Sequence, residues 1–158
     1  NDEATKWSFQ WFNDFIKKFR EAPPPDMTVL TVLVEKDAIR GKVLQHLPVH
    51  GDLVFFDHGG ETYLVGQDLG AIFSTQDVTE FKDKRVFTMA CLSAKRLGAE
   101  SVKNGGCKEY WGAVESIGFI PQDQNLFGEI YVGGAIMRFR DGHSIDDTMK
   151  GIKKFQKS

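Results

Sequence analysis

Leu53–Gly59 reads LVFFDHG, and Val86–Cys91 reads VFTMAC. Four apolar residues are consecutive in the first stretch, and Thr88 is the only polar residue before Cys91 in the second. Such near-continuous runs, rather than alternation, are typical of a strand covered on both faces, as in a parallel sheet. Each stretch ends in a chemically reactive side chain, His58 in the first and Cys91 in the second. Because ligands of open parallel sheets bind beyond the carboxyl ends of the strands, we expect these two side chains to share one edge of a sheet.

Strand and helix patterns alternate through the rest of the chain. Around the strands at 52–56 and 85–90, the sequence predicts strands at 29–34, 63–65 and 111–119 and helices at 5–21, 39–47, 94–102 and 127–139. Two capping patterns, Ser74-x-x-Asp77 and Ser144-x-x-Asp147, predict a short helix through Phe81 and a last helix that carries Ile152 and Phe155. This alternation predicts an α/β domain with a mostly parallel sheet covered by helices on both sides.

The N-terminal segment predicts an amphipathic helix. Its apolar residues recur at helical spacing: Trp7, Trp11, Phe12, Phe15, Ile16 and Phe19. We expect this stripe to pack on the domain's own sheet, and the alternative is an arm that binds a partner. Pro23, Pro24 and Pro25 end the helix, so the sequence divides into a helical segment at 1–22 and a domain at 27–158.

Composition excludes several classes of partner. The 158 residues carry a formal net charge of −2 with both signs interspersed, so we expect no nucleic-acid or membrane binding. No apolar run approaches the ~20 residues that cross a bilayer. Cys91 and Cys107 lack Cys-x-x-Cys spacing and there is no Gly-rich phosphate loop, so we expect no metal or cofactor. The expected partners are proteins or small molecules in a reducing, cytoplasmic compartment.

A thiol and an imidazole at one sheet edge predict nucleophilic catalysis. A free thiol is only slightly ionised at neutral pH, so an imidazole that accepts its proton increases the reactive fraction. We expect Cys91 to be the nucleophile and His58 to transfer the proton. Gly59 allows a backbone amide to approach a substrate carbonyl, and with the amide of Cys91 it could form an oxyanion hole. Cys107 follows two glycines in a loop and is interpreted as an incidental thiol.

The paired strand ends resemble the caspase-like cysteine peptidases, in which one apolar strand ends in His-Gly and a later one ends in Ala-Cys. Further similarity to the CHAT and separase members of this group lies in Cys91–Ala94, Leu97-Gly98, Gly112–Gly118 and Gly142-x-Ser144. The resemblance covers about Val29 to Ile152 and implies a three-layer α/β/α sandwich with cysteine peptidase activity on a protein or peptide substrate. It also implies a possible regulatory protein or attached domain.

The same resemblance implies a pocket for the side chain that precedes the cut, built from loops after several strands. Asp37 and Asp123 lie in such loops, where relatives that cleave after Arg or Lys carry an acid. A carboxylate there would pair with a basic substrate side chain, whereas the alternative is a solvated loop acid. Asp57 departs from the family pattern at the position before the histidine, and we assign it no catalytic role because neighbouring strand residues point to opposite faces.

Two other functions are alternatives to the peptidase. A caspase-like fold without activity could serve as a scaffold, because a short domain lacks the extra subdomains that shape substrate grooves. A phospho-accepting receiver domain would use Asp57, but Val34–Asp37 and Phe119–Pro121 do not match the acidic pair and the lysine that such domains carry. The peptidase is the function that the sequence favours.

Overall fold

A computed structural model of the protein describes residues 3–27, 29–118 and 121–148. They belong to two compact units: one combines Asn1–Met27 with Gly118–Ser158, and the other is Thr28–Ile117. The division expected from the sequence, a helix at 1–22 followed by a domain at 27–158, stays a prediction. The unit Thr28–Ile117 contains both His58 and Cys91.

The described residues of this unit form six strands: β1 (Asp52–Phe56), β2 (Gly59–Gly60), β3 (Tyr63–Val65), β4 (Ala71–Ser74), β5 (Arg85–Met89) and β6 (Glu109–Trp111). Strands β1, β5 and β6 form a parallel sheet in the order β1-β5-β6. The predicted strands at 52–56 and 85–90 are therefore confirmed as adjacent, parallel strands, and the α/β class is confirmed with them.

A second, antiparallel sheet follows directly after His58. Its order is β2-β3-β4, with Gly59 opposite Leu64 and Leu64 opposite Phe73. The predicted strand at 63–65 is confirmed as β3. The sequence analysis missed β2 and β4, because two glycines and a four-residue strand carry too little periodicity to indicate a strand.

The helices of the unit follow the sequence pattern closely. Helix α2 spans Arg40–His46, and a π-helical turn at Ala94–Gly98 continues into α3 at Ala99–Lys103, as predicted. After the Ser74-x-x-Asp77 pattern comes a short 3₁₀ helix at Val78–Phe81. Asp77 Oδ2 accepts hydrogen bonds of 2.8 Å from both the amide and the hydroxyl of Ser74, which fixes the entry to this turn.

One apolar core joins the two sheets and the helices of this unit. Its fully buried side chains include Leu64, Ile72, Phe73, Phe81, Val86 and Leu97. Burial of each large apolar side chain contributes about 1.5–3 kcal/mol. The core therefore fixes β5, which leads to Cys91, against β3, which pairs with the glycines that follow His58.

The predicted first strand, residues 29–34, is wrong. The structure pairs this segment with no strand among the residues described, and Val29, Leu30 and Val34 are exposed. Its contacts come from side chains and loops instead: the Thr31 hydroxyl is 2.9 Å from His50 Nε2. Apolar β-branched residues favour a strand, but a strand also needs a backbone partner, and composition does not supply one.

The predicted strand at 111–119 is wrong for most of its length. Strand β6 ends at Trp111, and residues 112–118 have no partner strand in the described part of the chain. A Cβ on Gly112 would lie 2.6 Å from Thr88 Oγ1 and 2.7 Å from Ser93 Oγ, so the chain leaves the sheet at a close backbone approach. Phe119 lies outside the described residues.

Helices make up the described part of the other unit. They are α1 (Glu3–Glu21), α4 (Gln124–Gly128), a π-helical stretch (Glu129–Ile136) and α5 (Met137–Arg140), with residues 145–148 helical after them. The helices predicted at 5–21 and 127–139 are confirmed. Trp11 of α1 packs on Phe127 with ring centroids 4.8 Å apart, so its described partner is another helix of the same unit. Ile152 and Phe155 lie outside the described residues.

Candidate active site

The parallel pairing of β1 and β5 brings the two predicted catalytic residues to one edge of the sheet. Their register ends at Phe56 opposite Met89. His58 and Cys91 each come two residues after this last pair, at the carboxyl ends of neighbouring strands. The structure thus brings together the two strand ends that the sequence indicated, and each continues into a loop of its own.

Gly59 lies close to the turn that carries Cys91. A Cβ on Gly59 would lie 2.9 Å from the Cβ of Ala90 and 3.3 Å from the carbonyl oxygen of Cys91. Only glycine leaves this contact unstrained, because a Cβ at 2.9 Å from another carbon forces one of the two to move.

Asp57 organises the backbone before the imidazole. Its Oδ1 accepts the amide N–H of His58 at 2.8 Å, and its Oδ2 accepts Gln67 Nε2 at 3.1 Å. Gln67 in turn binds the loop after residues 29–34, because the backbone N–H of Gln67 donates to the carbonyl of Ala38 at 3.1 Å. The described contacts of Asp57 are therefore those of a residue that fixes the His58 turn.

Cys91 is partly exposed, and its sulfur has a described partner. The backbone N–H of Ile117 donates to Cys91 Sγ at 3.3 Å. The next residue, Leu92, has a positive φ of 58°, a left-handed conformation that leucine rarely adopts. Such strain persists only where the surroundings hold it, and it often occurs at functional sites.

Residues 113–117 lie against the Cys91 turn. The amide of Leu92 donates to the carbonyl of Glu115 at 3.1 Å, and the amide of Ala94 donates to the carbonyl of Ala113 at 2.9 Å. The sequence pattern predicted a strand for residues 113–117 and did not indicate this contact. In the structure the hydrogen bonds of these residues are made with the turn after β5 rather than with another strand, and no periodicity in the sequence indicates that the turn is their partner.

A buried polar cluster supports the Cys91 turn from within. Ser93 Oγ donates to the carbonyl of Ala90 at 3.0 Å and contacts Thr88 Oγ1 at 2.7 Å. The phenol of Tyr110 lies beside these hydroxyls, and its burial raises its pKa to about 12, although the hydroxyls of Thr88 and Ser93 act in the opposite direction. The Tyr110 phenol is therefore neutral at physiological pH. The Ser93 hydroxyl fixes the carbonyl of Ala90, the residue before Cys91.

The two acids predicted to bind a basic substrate side chain fall in different compact units. Asp37 ends a 3₁₀ turn at Glu35–Asp37, and the next residue, Ala38, is bound through Gln67 to the Asp57 turn. Asp37 is therefore next in sequence to a residue that Gln67 connects to the Asp57 turn. Asp123 ends the 3₁₀ turn at Pro121–Asp123 of the other unit, where it is exposed and precedes α4.

Cys107 differs from Cys91 in burial. It is 5% exposed, and its Sγ contacts the carbonyls of Lys84 and Glu109 at 3.4 and 3.3 Å. Burial raises the pKa of the Cys107 thiol, with a smaller opposing effect from its backbone hydrogen bond to Glu109. In the described part of the chain, no group of three or more His, Cys, Asp or Glu residues could hold a metal ion.

None of the helices described is long and apolar enough to cross a membrane. A scan against protein-family models, a search of curated proteins and a search of solved structures each found no match to this chain.

Proposed function

We propose that this protein is a cysteine peptidase with a caspase-like fold, in which Cys91 is the nucleophile and His58 the proton-transfer partner. The observation that carries the proposal is the register of β1 and β5, which ends at Phe56 opposite Met89 and leaves both residues two positions beyond the same edge. The close approach of Gly59 to the Cys91 backbone supports it.

The proposed reaction has two steps. The sulfur of Cys91 attacks the carbonyl carbon of the scissile peptide, and His58 gives the proton taken from the thiol to the leaving amine as the C–N bond breaks. The product of this step is a thioester with the N-terminal part of the substrate. Water then attacks the thioester, His58 accepts a proton from the water, and the C–S bond breaks to release the acid and return the proton to the sulfur.

The amides of Gly59 and Cys91 are the proposed oxyanion hole. The amide of Cys91 follows the last ladder pair of β5, so it lies beyond the parallel sheet. A Cβ on Gly59 would lie 3.3 Å from the Cys91 carbonyl oxygen, and this close approach supports a place for the Gly59 amide near the developing charge. Removal of one such donor typically reduces kcat by about 10² to 10³.

Asp37, in the same compact unit as His58 and Cys91, is the proposed acid that selects Arg or Lys before the scissile bond. A carboxylate that pairs with a guanidinium forms two parallel hydrogen bonds, so Asp37→Asn should reduce kcat/KM for Arg peptides by about tenfold. Activity only on peptides with Asp before the scissile bond would contradict this specificity.

The experiment is to incubate the wild type with fluorogenic peptides that carry Arg, Lys, Asp or Asn before the scissile bond. Cys91→Ala should lower turnover by about a thousandfold or more, and His58→Ala by about 10² to 10⁴. Cys107→Ala is the control, because Cys107 is buried among Lys84 and Glu109, and its turnover should equal that of the wild type.

Turnover that survives Cys91→Ala would reject the proposal. Absence of turnover with every peptide, together with equally slow alkylation of Cys91 and Cys107, would indicate a catalytically inactive caspase-like scaffold. Chloromethyl ketone peptides that alkylate Cys91 only when His58 is present would support the peptidase independently of turnover, because this labelling needs the same two groups.

A further inference from the structure

The sulfur of Cys91 receives a hydrogen bond from a distant part of the chain. The donor is the backbone N–H of Ile117, 26 residues further along, at 3.3 Å from Sγ. A backbone amide carries its proton at every physiological pH and has no rotamer freedom. A fixed donor that points at a sulfur favours the anionic form of that sulfur over the neutral thiol.

The residues that bring the Ile117 amide to Cys91 form a short segment with a bend at Val114 and Glu115. Within 113–117, which we name the strap, Ala113 and Glu115 accept backbone hydrogen bonds from the Cys91 turn, and Ile117 donates to the sulfur. Val114, Glu115 and Ser116 are exposed, whereas Ala113 and Ile117, at the two ends, are partly buried. Three hydrogen bonds therefore hold the strap against the turn although its middle is in solvent.

The strained residue of the turn is held by the same strap. Leu92, with φ of 58°, donates its amide to Glu115 at 3.1 Å. A left-handed conformation costs an L-residue of this size free energy, and a specific hydrogen bond offsets that cost. The strap therefore stabilises the conformation in which the thiol leaves the end of β5, and it also contacts the sulfur.

We propose that the strap is a positioning element of the nucleophile and that the Ile117 amide stabilises the Cys91 sulfur as a thiolate. The proposal rests on the proposed function for its catalytic meaning, because a peptidase nucleophile reacts as the thiolate. The effect on the sulfur itself can be measured whether or not the protein cleaves peptides.

The test replaces Ile117 by its α-hydroxy acid in a Cys107→Ala background, where Cys91 is the remaining thiol. This change keeps the side chain and substitutes an ester oxygen for the N–H. The alkylation rate of Cys91 by iodoacetamide at pH 7 should fall about fivefold to tenfold. At pH 10 the rates should be equal, because a thiol is then ionised without help.

The matched control is the same ester replacement at Val114. Val114 is exposed, and within the described part of the chain its N–H donates no hydrogen bond to the Cys91 turn. Its alkylation rates should equal those of the parent at both pH values. The pair Ile117→Pro and Ile117→Ala repeats the comparison, because proline lacks the N–H and alanine keeps it. This pair tests the proposal if the ester protein does not fold.

Equal Cys91 alkylation rates at pH 7 for the Ile117 ester and its parent would overturn the proposal. Equal slowing of alkylation at pH 7 and pH 10 would also overturn it, because it would indicate that the reagent reaches the sulfur less easily and not that less thiolate is present. The two proposals fail separately. A pH-dependent loss of alkylation without Cys91-dependent turnover would support the proposed role of the strap and reject the proposed peptidase activity. Cys91-dependent turnover with no effect of the Ile117 amide on alkylation would support the peptidase activity and reject the role of the strap.

Discussion

Gly59 and Cys91 approach each other closely at the carboxyl edge of the parallel sheet. A Cβ on Gly59 would lie 3.3 Å from the carbonyl oxygen of Cys91. The residue that follows His58 is therefore packed near the turn that carries the thiol. A glycine at this position therefore has a packing reason that is independent of any catalytic role.

Gly59→Ala should destabilise the protein by about 1–3 kcal/mol, because the added methyl group meets Ala90 and the Cys91 carbonyl in a packed region. Gly41→Ala is the matched control. Gly41 is in helix α2 with nothing within 4 Å of its built Cβ, so its substitution should stabilise the protein by up to about 1 kcal/mol. Urea denaturation measures both. Equal effects of the two substitutions would contradict the close approach.

Cys91 should be alkylated well before Cys107 at pH 7 to 8. Cys107 is buried, and its burial raises its pKa, so little thiolate is present and reagents reach it slowly. Its labelling should increase only at pH values above the ordinary thiol range. Peptide mass spectrometry after timed treatment with iodoacetamide measures each site, and faster labelling of Cys107 in the folded protein would contradict the assignment of burial.

Leu92→Asn should be tolerated better than Leu92→Val. The residue has φ of 58°, which asparagine adopts several times more often than other non-glycine residues and which a β-branched side chain avoids. Valine should cost about 1–2 kcal/mol more than asparagine in the free energy of unfolding. Thermal or urea denaturation of both variants checks the difference, and a more stable valine variant would show that the turn is unstrained.

His50 should make the protein less stable as the pH falls from about 7.5 to 5.5. Burial and the nearby charges of His46 and Lys84 lower the pKa of His50 in the folded state. The unfolded chain, with an ordinary histidine pKa of about 6.5, therefore binds the proton first, and stability is lost on acidification through that value. The free energy of unfolding at the two pH values measures the loss.

His50→Gln is the control for this pH dependence, because glutamine does not titrate and can still contact the Thr31 hydroxyl, which is 2.9 Å from His50 Nε2. The loss of stability between pH 7.5 and 5.5 should be smaller in this variant than in the wild type. Other titrating groups are common to both proteins and cancel in the comparison. An identical pH dependence would show that His50 is not responsible.

The sequence predicted those parts of the fold whose pattern is local. Consecutive apolar residues at 52–56 and 85–90 predicted two buried strands, and helical spacing predicted α1, α2 and the helical stretch that contains Phe127. The order of strand ends, with His-Gly after one and Ala-Cys after the next, led to the candidate site. These patterns can be recognised in the sequence because each depends on residues within a few positions of one another.

Residues 29–34 and 112–118 show where such patterns fail. Both segments have strand-like composition, yet neither joins a sheet in the structure. The first is held by the Thr31 contact to His50, and the second by hydrogen bonds to Leu92, Ala94 and Cys91. Composition indicates which residues prefer an extended backbone, but it does not indicate which groups will receive their hydrogen bonds.

The sequence by itself determined that His58 and Cys91 each follow an apolar strand. Only the tertiary structure decided that these strands are adjacent and in register, that Gly59 approaches the Cys91 backbone, and that the Ile117 amide meets the sulfur. The structure also decided their burial, since β5 is buried and β1 is only partly buried. The reason is that secondary structure follows from interactions between near neighbours in the chain. A site depends on hydrogen bonds and packing between residues tens of positions apart, which only the folded core brings together.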